Sequence, residues 1–463
     1  MSETTIPTRG GRPVLRHSSL TGASFIRDHQ QYKSPASING LLDGSLLEDS
    51  SKKEDHKDAR IKESGIVHTI FGNSLSSLPA DTPKLVATIF YKTPSQSQSQ
   101  SQSQSQSQPA NDASQSAANN MAPGSAPIST PLFELNPLEP PAPGPEPLDH
   151  LYGQYVSQLC LTNFLQIMEE LSRPYHRMSS SHRCLDKEDQ PHVVEVTISP
   201  PPSPEYLTLD ELRKHEMLWR FERQWNVEVV LQRECIHRRY KRLAVFDMDS
   251  TLIEQEVIDE IAAFIGVEKE VSEITARAMN GELDFAASLK ARVALLKGVP
   301  GDVFQKLEST ITIAPGARDL CKALKRLGYR TAVLSGGFQP LAEWLARQLD
   351  LDFACANHLV TDESTNTLTG ELSPDHPIVD AAHKRTMLRK LAEENGIKLS
   401  QTIAVGDGAN DLLMLKEAGL GVAFKAKSKV QFEAPTRLNG DSLVDILYLL
   451  GLEDGEVKEL LQD

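Results

Sequence analysis

Two aspartates one residue apart, Asp247 and Asp249, follow directly on the apolar run Leu243 to Phe246, and Ser250 and Thr251 come straight after them. An apolar run bounded by polar turn formers reads as a buried strand, and an open α/β sheet builds its site at the carboxyl ends of such strands. Two further strands are expected to end in the same way: "RTAVLS" (330–335) closes on Ser335 and runs into Gly336 and Gly337, and "TIAVGD" (402–407) closes on Asp407, followed by Gly408, Asn410 and Asp411. All strand ends of a parallel sheet that point one way emerge on one edge, so these distant motifs are expected to meet in one pocket. Three carboxylates at one place repel one another unless a cation neutralises them, and an all-oxygen set that keeps some waters suits Mg²⁺ rather than zinc. With Lys384 nearby, the pocket becomes an anion site for phosphate, whose transfer depends on positioning and charge neutralisation. An aspartate in that setting can attack phosphorus directly.

The elements that must hold these residues follow from periodicity. Strands are expected at 243–248, 330–335, 402–407 and 420–424, with helices after the second and third. Between the first strand and the next, a largely helical block at about 257–310 is too long for a simple crossover and should cap the carboxyl edge of the sheet. The fold class is therefore α/β, a Rossmann-like parallel sheet with a helical cap inserted after the first catalytic strand, over residues 241–463. Upstream, "KLVATIFYK" (84–92), "HVVEVTISP" (192–200) and "VEVVLQREC" (227–235) read as strands, and 155–173 and 207–225 as helices, the second opening on a capping box from Thr208 to Glu211. The order β, α, β, α, β gives a small α+β module over 61–240. It is interrupted at about 93–147 by the repeat "SQSQSQSQSQSQSQ" (95–108) and its Pro, Ala and Asn-rich continuation, which cannot bury apolar surface. Residues 1–60 are polar, without sustained periodicity, and are expected to be disordered.

The bulk properties exclude several classes. A chain of 463 residues with a formal net charge of −15 is a poor general binder of nucleic acid or anionic membrane, so small molecules are the expected partners. The five cysteines, Cys160, Cys184, Cys235, Cys321 and Cys355, form no C-x-x-C pair, which argues against a disulfide framework or a zinc site and for a reducing, cytoplasmic setting. The most apolar run, "LVDILYLLGL", is too short to span a membrane and carries an aspartate.

The segments "FDMDSTLIEQE", "LSGGF", "HKRTMLRKLA" and "VGDGANDLLML" resemble the four motifs of the haloacid dehalogenase-like phosphohydrolases. More narrowly, the stretch from about 242 to 450 resembles the phosphoserine phosphatase family, because Glu256 closes the first motif and "LDFAASLKARVALLKG" (283–298) lies in the cap. The resemblance implies Mg²⁺-dependent hydrolysis of O-phosphoserine, the last step of serine synthesis by the phosphorylated route. It implies Asp247 as nucleophile and metal ligand, and Asp249 as general acid and base that also lends the metal its backbone carbonyl. Asp407 completes the ligands, with Asp411 as a more distant or water-mediated partner. Ser335 and the Gly336 amide would hold phosphate oxygens, Lys384 would neutralise the phosphoryl group, and Asn410 would touch substrate. Glu256 would face the substrate ammonium and Arg292 its carboxylate, while Phe285 is a candidate shield against water.

The upstream module resembles, on element order, the ACT-like ferredoxin-type domains that accompany many such enzymes. The long insertion occupies the loop that often takes part in ligand binding there, so dimerisation to a homodimer and simple support stay open beside amino-acid sensing. Two other functional readings also stay open: a different phosphomonoester or phosphotransfer to an alcohol on the same fold, and a regulatory protein built on a vestigial phosphatase.

Overall fold

The computed structural model describes residues 83–92, 148–172, 178–279 and 282–462, together with three short strands at 31–33, 61–63 and 66–69. The Ser-Gln repeat and the rest of the insertion at 93–147 lie outside the described residues. Strands β1 (Gln31–Lys33), β2 (Ile61–Glu63) and β3 (Ile66–Thr69) form an antiparallel sheet in the order β1-β3-β2. Strand β1 falls within the stretch that the sequence leaves unstructured.

Strands β4 (Leu85–Tyr91), β5 (Ser179–Cys184), β6 (Val193–Ser199) and β7 (Val227–Arg233) make a four-stranded antiparallel sheet, order β5-β6-β4-β7. The helix Gln158–Glu170 lies between β4 and β5, and the helices Leu209–Arg213 and Glu216–Gln224 lie between β6 and β7. The element order is thus β-α-β-β-α-β, the ferredoxin-like arrangement, with one strand more than the sequence suggested. That strand, β5, reads Ser-Ser-Ser-His-Arg-Cys and has no apolar alternation to announce it. Its pairing to β6, from Ser179 opposite Ser199 to Cys184 opposite Val194, sets its conformation instead. The expected helix over 207–225 opens on the capping box as read, with Glu211 N donating to Thr208 Oγ1 at 3.2 Å and Thr208 N to Glu211 Oε2 at 2.9 Å. It breaks at Lys214, and His215 starts a second helix by accepting from Met217 N.

In the C-terminal half, β8 (Leu243–Phe246), β9 (Arg330–Phe338), β10 (Phe353–Asn357), β11 (Leu359–Asp362), β12 (Thr367–Leu372), β13 (Thr402–Gly406), β14 (Leu420–Phe424) and β15 (Thr436–Leu438) follow in turn. Six of them form one wholly parallel sheet in the order β10-β9-β8-β13-β14-β15. The edge strands β10 and β15 escaped the sequence reading, one because it is only half-buried, the other because it has three residues. The chain steps outward from β8 to β9 and β10, then returns across the sheet to β13, so the strand order reverses between β8 and β13. That reversal opens a crevice at the carboxyl ends of the strands, where such sheets take their ligands. The inner strands are buried on both faces, as a parallel sheet requires: Ala244, Phe246, Val333 and Val405 pack on one side, Leu243, Val245, Ala332 and Ala404 on the other.

The cap comprises the helices Val257–Ile265, Glu268–Met279, Phe285–Ala294 and Val303–Leu307. A hairpin of β11 and β12, which the sequence did not reveal, joins it through Gly298 N to Leu368 O and Leu368 N to Val299 O, each at 2.8 Å. Among the described residues no helix is long and apolar enough to cross a membrane.

Candidate active site

Asp247 is the first residue beyond β8, and its amide continues the ladder to Val405 O at 2.9 Å. The ladder therefore delivers its carboxylate, 4% exposed, into the crevice. Lys384 comes from the first turn of the helix Ala381–Glu394, which Asp380 caps by accepting from His383 N at 2.8 Å. Its ammonium is wholly buried and sits 2.7 Å from Asp247 Oδ1 and 2.7 Å from Asp411 Oδ1. The second oxygen of Asp411 accepts from Gly408 N at 3.0 Å. A side chain at Gly406 would overlap the Asp411 carboxylate, so glycine there lets β13 and the following turn come this close.

The electrostatics are those of crowded acids. Burial, then the charges of Asp247 and Glu256, lift Asp407 to about 7. Burial and Asp247 likewise push Asp411 well above the usual carboxylate range. Burial, Glu256 and Asp247 do the same to Asp249. Burial disfavours the Lys384 ammonium, but Asp247 and Asp411 outweigh it and hold the group charged. Asp247, Asp407 and Asp411 each offer an oxygen within 4.8 Å of the others. Three oxygen donors that repel one another when ionised fit a divalent hard cation. Within this cluster the third carboxylate is that of Asp411, which the sequence placed further out. The Asp249 side chain is elsewhere: its Oδ1 accepts from Val257 N at 3.4 Å and its Oδ2 lies against Gly337.

The C-terminal part of β9, Ser335 to Gly337, forms the opposite wall. Ser335 is fully buried and its Oγ accepts from Gly337 N at 2.8 Å. A Cβ on Gly336 would stand 3.3 Å from Phe285 of the cap and 3.6 Å from Asn410 Nδ2, so cap, β9 and the turn after β13 meet at this glycine. At the mouth, Glu256 Oε1 accepts from Ser250 Oγ at 2.8 Å, and Ser250 takes φ +52° to make the turn. Arg292 reaches back only to Ser288 O at 3.4 Å. Burial lowers its pKa, while the charges of Asp259, Glu256 and Asp249 oppose the fall.

The residues singled out from the sequence therefore gather at one locus. Two partners were missed. Thr251, one of the polar turn formers after β8, is fully buried and directs Oγ1 at Asp407 Oδ1, 3.4 Å away. Asn357, at the end of the unpredicted β10, bonds to the carbonyls of Gly336 and Gly337. An asparagine closing the run "FACAN" was the available signal.

Residues 241–419 match the family model of haloacid dehalogenase-like hydrolases. The chain is 50% identical over 238 residues to the probable phosphoserine phosphatase of Schizosaccharomyces pombe, covering 51% of this chain and 79% of that protein. It is 50% identical over 234 residues to the phosphoserine phosphatase of Streptomyces coelicolor, covering 50% of this chain and 56% of the other. The crystal structure of a HAD-family hydrolase from Salmonella enterica serovar Typhi aligns with TM-score 0.52 at 30% identity over 64% of this chain and 96% of that one. Identity of this order along most of a relative's length reflects common descent: this chain belongs to the phosphoserine phosphatase family of haloacid dehalogenase-like hydrolases.

Proposed function

We propose that the chain hydrolyses O-phosphoserine to serine and phosphate with Mg²⁺, through an aspartyl-phosphate on Asp247, as the final step of serine synthesis. The observation that carries this reading is the junction of Asp247, Asp407, Asp411 and Lys384 in the crevice. The 2.7 Å contacts of Asp247 Oδ1 with Lys384 and with Met248 N hold the carboxylate in orientation, and Lys384 gives the incoming phosphoryl group a cation. Asp249, which burial biases toward its protonated form, is suited to donate a proton to the leaving serine oxygen and then to take one from the hydrolytic water. Splitting the displacement in two lowers each barrier. Ser335 and the Gly336 amide hold phosphoryl oxygens, and Asn410, beside Gly336, contacts the substrate.

A divalent cation held by Asp247, Asp407 and the Asp249 carbonyl supplies charge neutralisation for the phosphoryl oxygens when bound. The acidic cluster suits a hard divalent cation such as Mg²⁺, because oxygen donors without sulfur or imidazole disfavour softer metals. Glu256 and Arg292 offer one negative and one positive group to a zwitterionic amino acid, and the planar guanidinium can grip a carboxylate with two donors. The serine-phosphate specificity follows from that pair. The absence of cysteine pairing suits a reducing compartment, and we place the enzyme in the cytoplasm.

The test is phosphate release by purified protein from a panel of phosphomonoesters, with and without Mg²⁺. Phosphoserine should be the preferred substrate, chelation should stop turnover, and Asp247→Asn should abolish it. Comparable hydrolysis of sugar phosphates with none of phosphoserine would refute the specificity.

A further inference from the structure

Strand β9 does not run evenly past its neighbour. Cys355 of β10 pairs with Leu334, yet Asn357 pairs with Phe338, so two steps on one strand match four on the other. The residues thrown out of the ladder are Ser335, Gly336 and Gly337, and a bulge of this kind leaves backbone groups without ladder partners. Asn357 meets them. Its side chain is 1% exposed, and its Nδ2 donates to Gly336 O at 2.8 Å and to Gly337 O at 3.2 Å. Its Oδ1 accepts from Val379 N at 2.9 Å, two residues before the helix that carries Lys384.

The geometry of one peptide turns this clamp into a device for the ligand. In a planar trans peptide the C=O and N–H point in opposite directions. The carbonyl of the Gly336–Gly337 peptide is held by Asn357, and its N–H is received by Ser335 Oγ at 2.8 Å. A hydroxyl has one hydrogen to give. With Gly337 N–H filling an acceptor position on Ser335 Oγ, that hydrogen remains available to the pocket.

We infer that Asn357 is a positioning residue for phosphoryl binding: by holding the Gly336 carbonyl it aims the Gly337 amide at Ser335 Oγ and so leaves the Ser335 hydroxyl oriented to donate to a phosphoryl oxygen. The inference rests on the phosphomonoesterase reading given above, and extends it to a residue outside the four motifs.

The experiment is a double-mutant cycle in the full chain between Asn357→Ala and Ser335→Ala, read as kcat/KM on phosphoserine and as inhibition by inorganic phosphate. Losing one well-aimed donor to a charged oxygen should weaken both readouts about tenfold to hundredfold in Asn357→Ala. On the Ser335→Ala background, removal of Asn357 should change them by less than about threefold, the scatter expected when no coupling remains. The Mg²⁺ concentration for half-maximal activity should not move in the single variant. Asn357→Leu, which fills the same space without a donor, carries the same cycle if alanine there does not fold. Equal losses on both backgrounds would show a general packing role, and no loss in either variant would show no role; either overturns the inference. A wild-type chain that releases no phosphate from any monoester would instead remove the functional reading beneath it.

Discussion

Lys384→Met is the substitution that tests the site's electrostatics most directly. Methionine keeps the length and apolar stem of lysine and removes its charge, leaving Asp247 and Asp411, 5% and 0% exposed at their side chains, facing the gap. Wild-type Lys384 bonds to both at 2.7 Å, so its loss breaks two charged contacts at once. Removing one partner from a buried ion pair costs about 3–5 kcal/mol, and that is the expected fall in unfolding free energy at pH 8 with chelator present. The deficit should shrink as pH falls. A buried carboxylate without its cation has a raised folded pKa, so the fold binds more protons than the unfolded chain and loses stability as pH rises through that pKa. Asp411, which burial and Asp247 already push above the usual carboxylate range, gains protons as pH falls, and less stability is lost at pH 5. Urea unfolding at the two pH values measures both quantities. Adding Asp411→Asn to Lys384→Met should recover part of the loss, since one of the two stranded charges is gone. A deficit below about 1 kcal/mol at pH 8, typical of exposed ion pairs, would refute the buried-triad reasoning. A deficit independent of pH would refute the assignment to the carboxylates.

Other perturbations address the neighbouring groups. Arg292→Ala should lower kcat/KM on phosphoserine by about 10²-fold or more, the loss of one or two hydrogen bonds to a charged partner, while sparing phosphoethanolamine, which has no carboxylate; steady-state kinetics on the two substrates decides. Gly337→Ala would put a Cβ 2.9 Å from Asp249 Oδ2 and 3.0 Å from Ser335 Oγ, so displacement of the proton donor should reduce kcat about 10²-fold in the same assay. In the metal-free protein Asp407 titrates at about 7, so protons compete with the cation below that pH. The thermal shift produced by Mg²⁺ should therefore be larger at pH 8 than at pH 6, and an equal shift would contradict the place of Asp407 in the cluster.

The strands that carry chemistry were legible because burial on both faces leaves a continuous apolar run, as in Leu243 to Phe246, that ends abruptly in polar residues. Convergence of Asp247, Ser335 and Asp407 then followed from the geometry of a parallel sheet. What stayed hidden depends on contacts that no local pattern reports. β5 is written in serines and becomes a strand through β6; β15 has three residues and is defined by its register on β14. The Lys384–Asp411 contact joins a helix to a turn 27 residues away, and the sequence suggested a phosphate role for the lysine without its carboxylate partner. Asn357 was invisible for a related reason: its partners are backbone carbonyls exposed by a bulge, and a bulge is a property of two strands together.

The upstream sheet illustrates how one module can be committed to support. Its helices cover one face, where Leu85, Ala87 and Ile89 pack with Phe164, Leu165 and Phe221. The other face of a ferredoxin-like sheet is free to meet another surface, and here Phe90, Leu185, Val193 and Val230 join the core of the catalytic half. Phe90 meets Tyr448 edge-on at 6.5 Å, and Gln232 donates to Leu449 O at 3.0 Å. Polar residues of the module, from its strands and from the helix Glu216–Gln224, also cross the junction. Glu228 receives Asn439 N at 2.8 Å, Glu222 binds Arg437, and Arg183 spans Glu195 and Gly451 O at 2.8 and 2.9 Å. Arg437 belongs to β15, the edge strand of the parallel sheet, and Asn439 follows that strand directly, so side chains of the upstream module cover this edge. A surface so occupied within one chain cannot also serve as a docking face for a second copy. Among the described residues of this module, a strand edge and the helical side are what this packing leaves for self-association, and its other face is packed against the catalytic half.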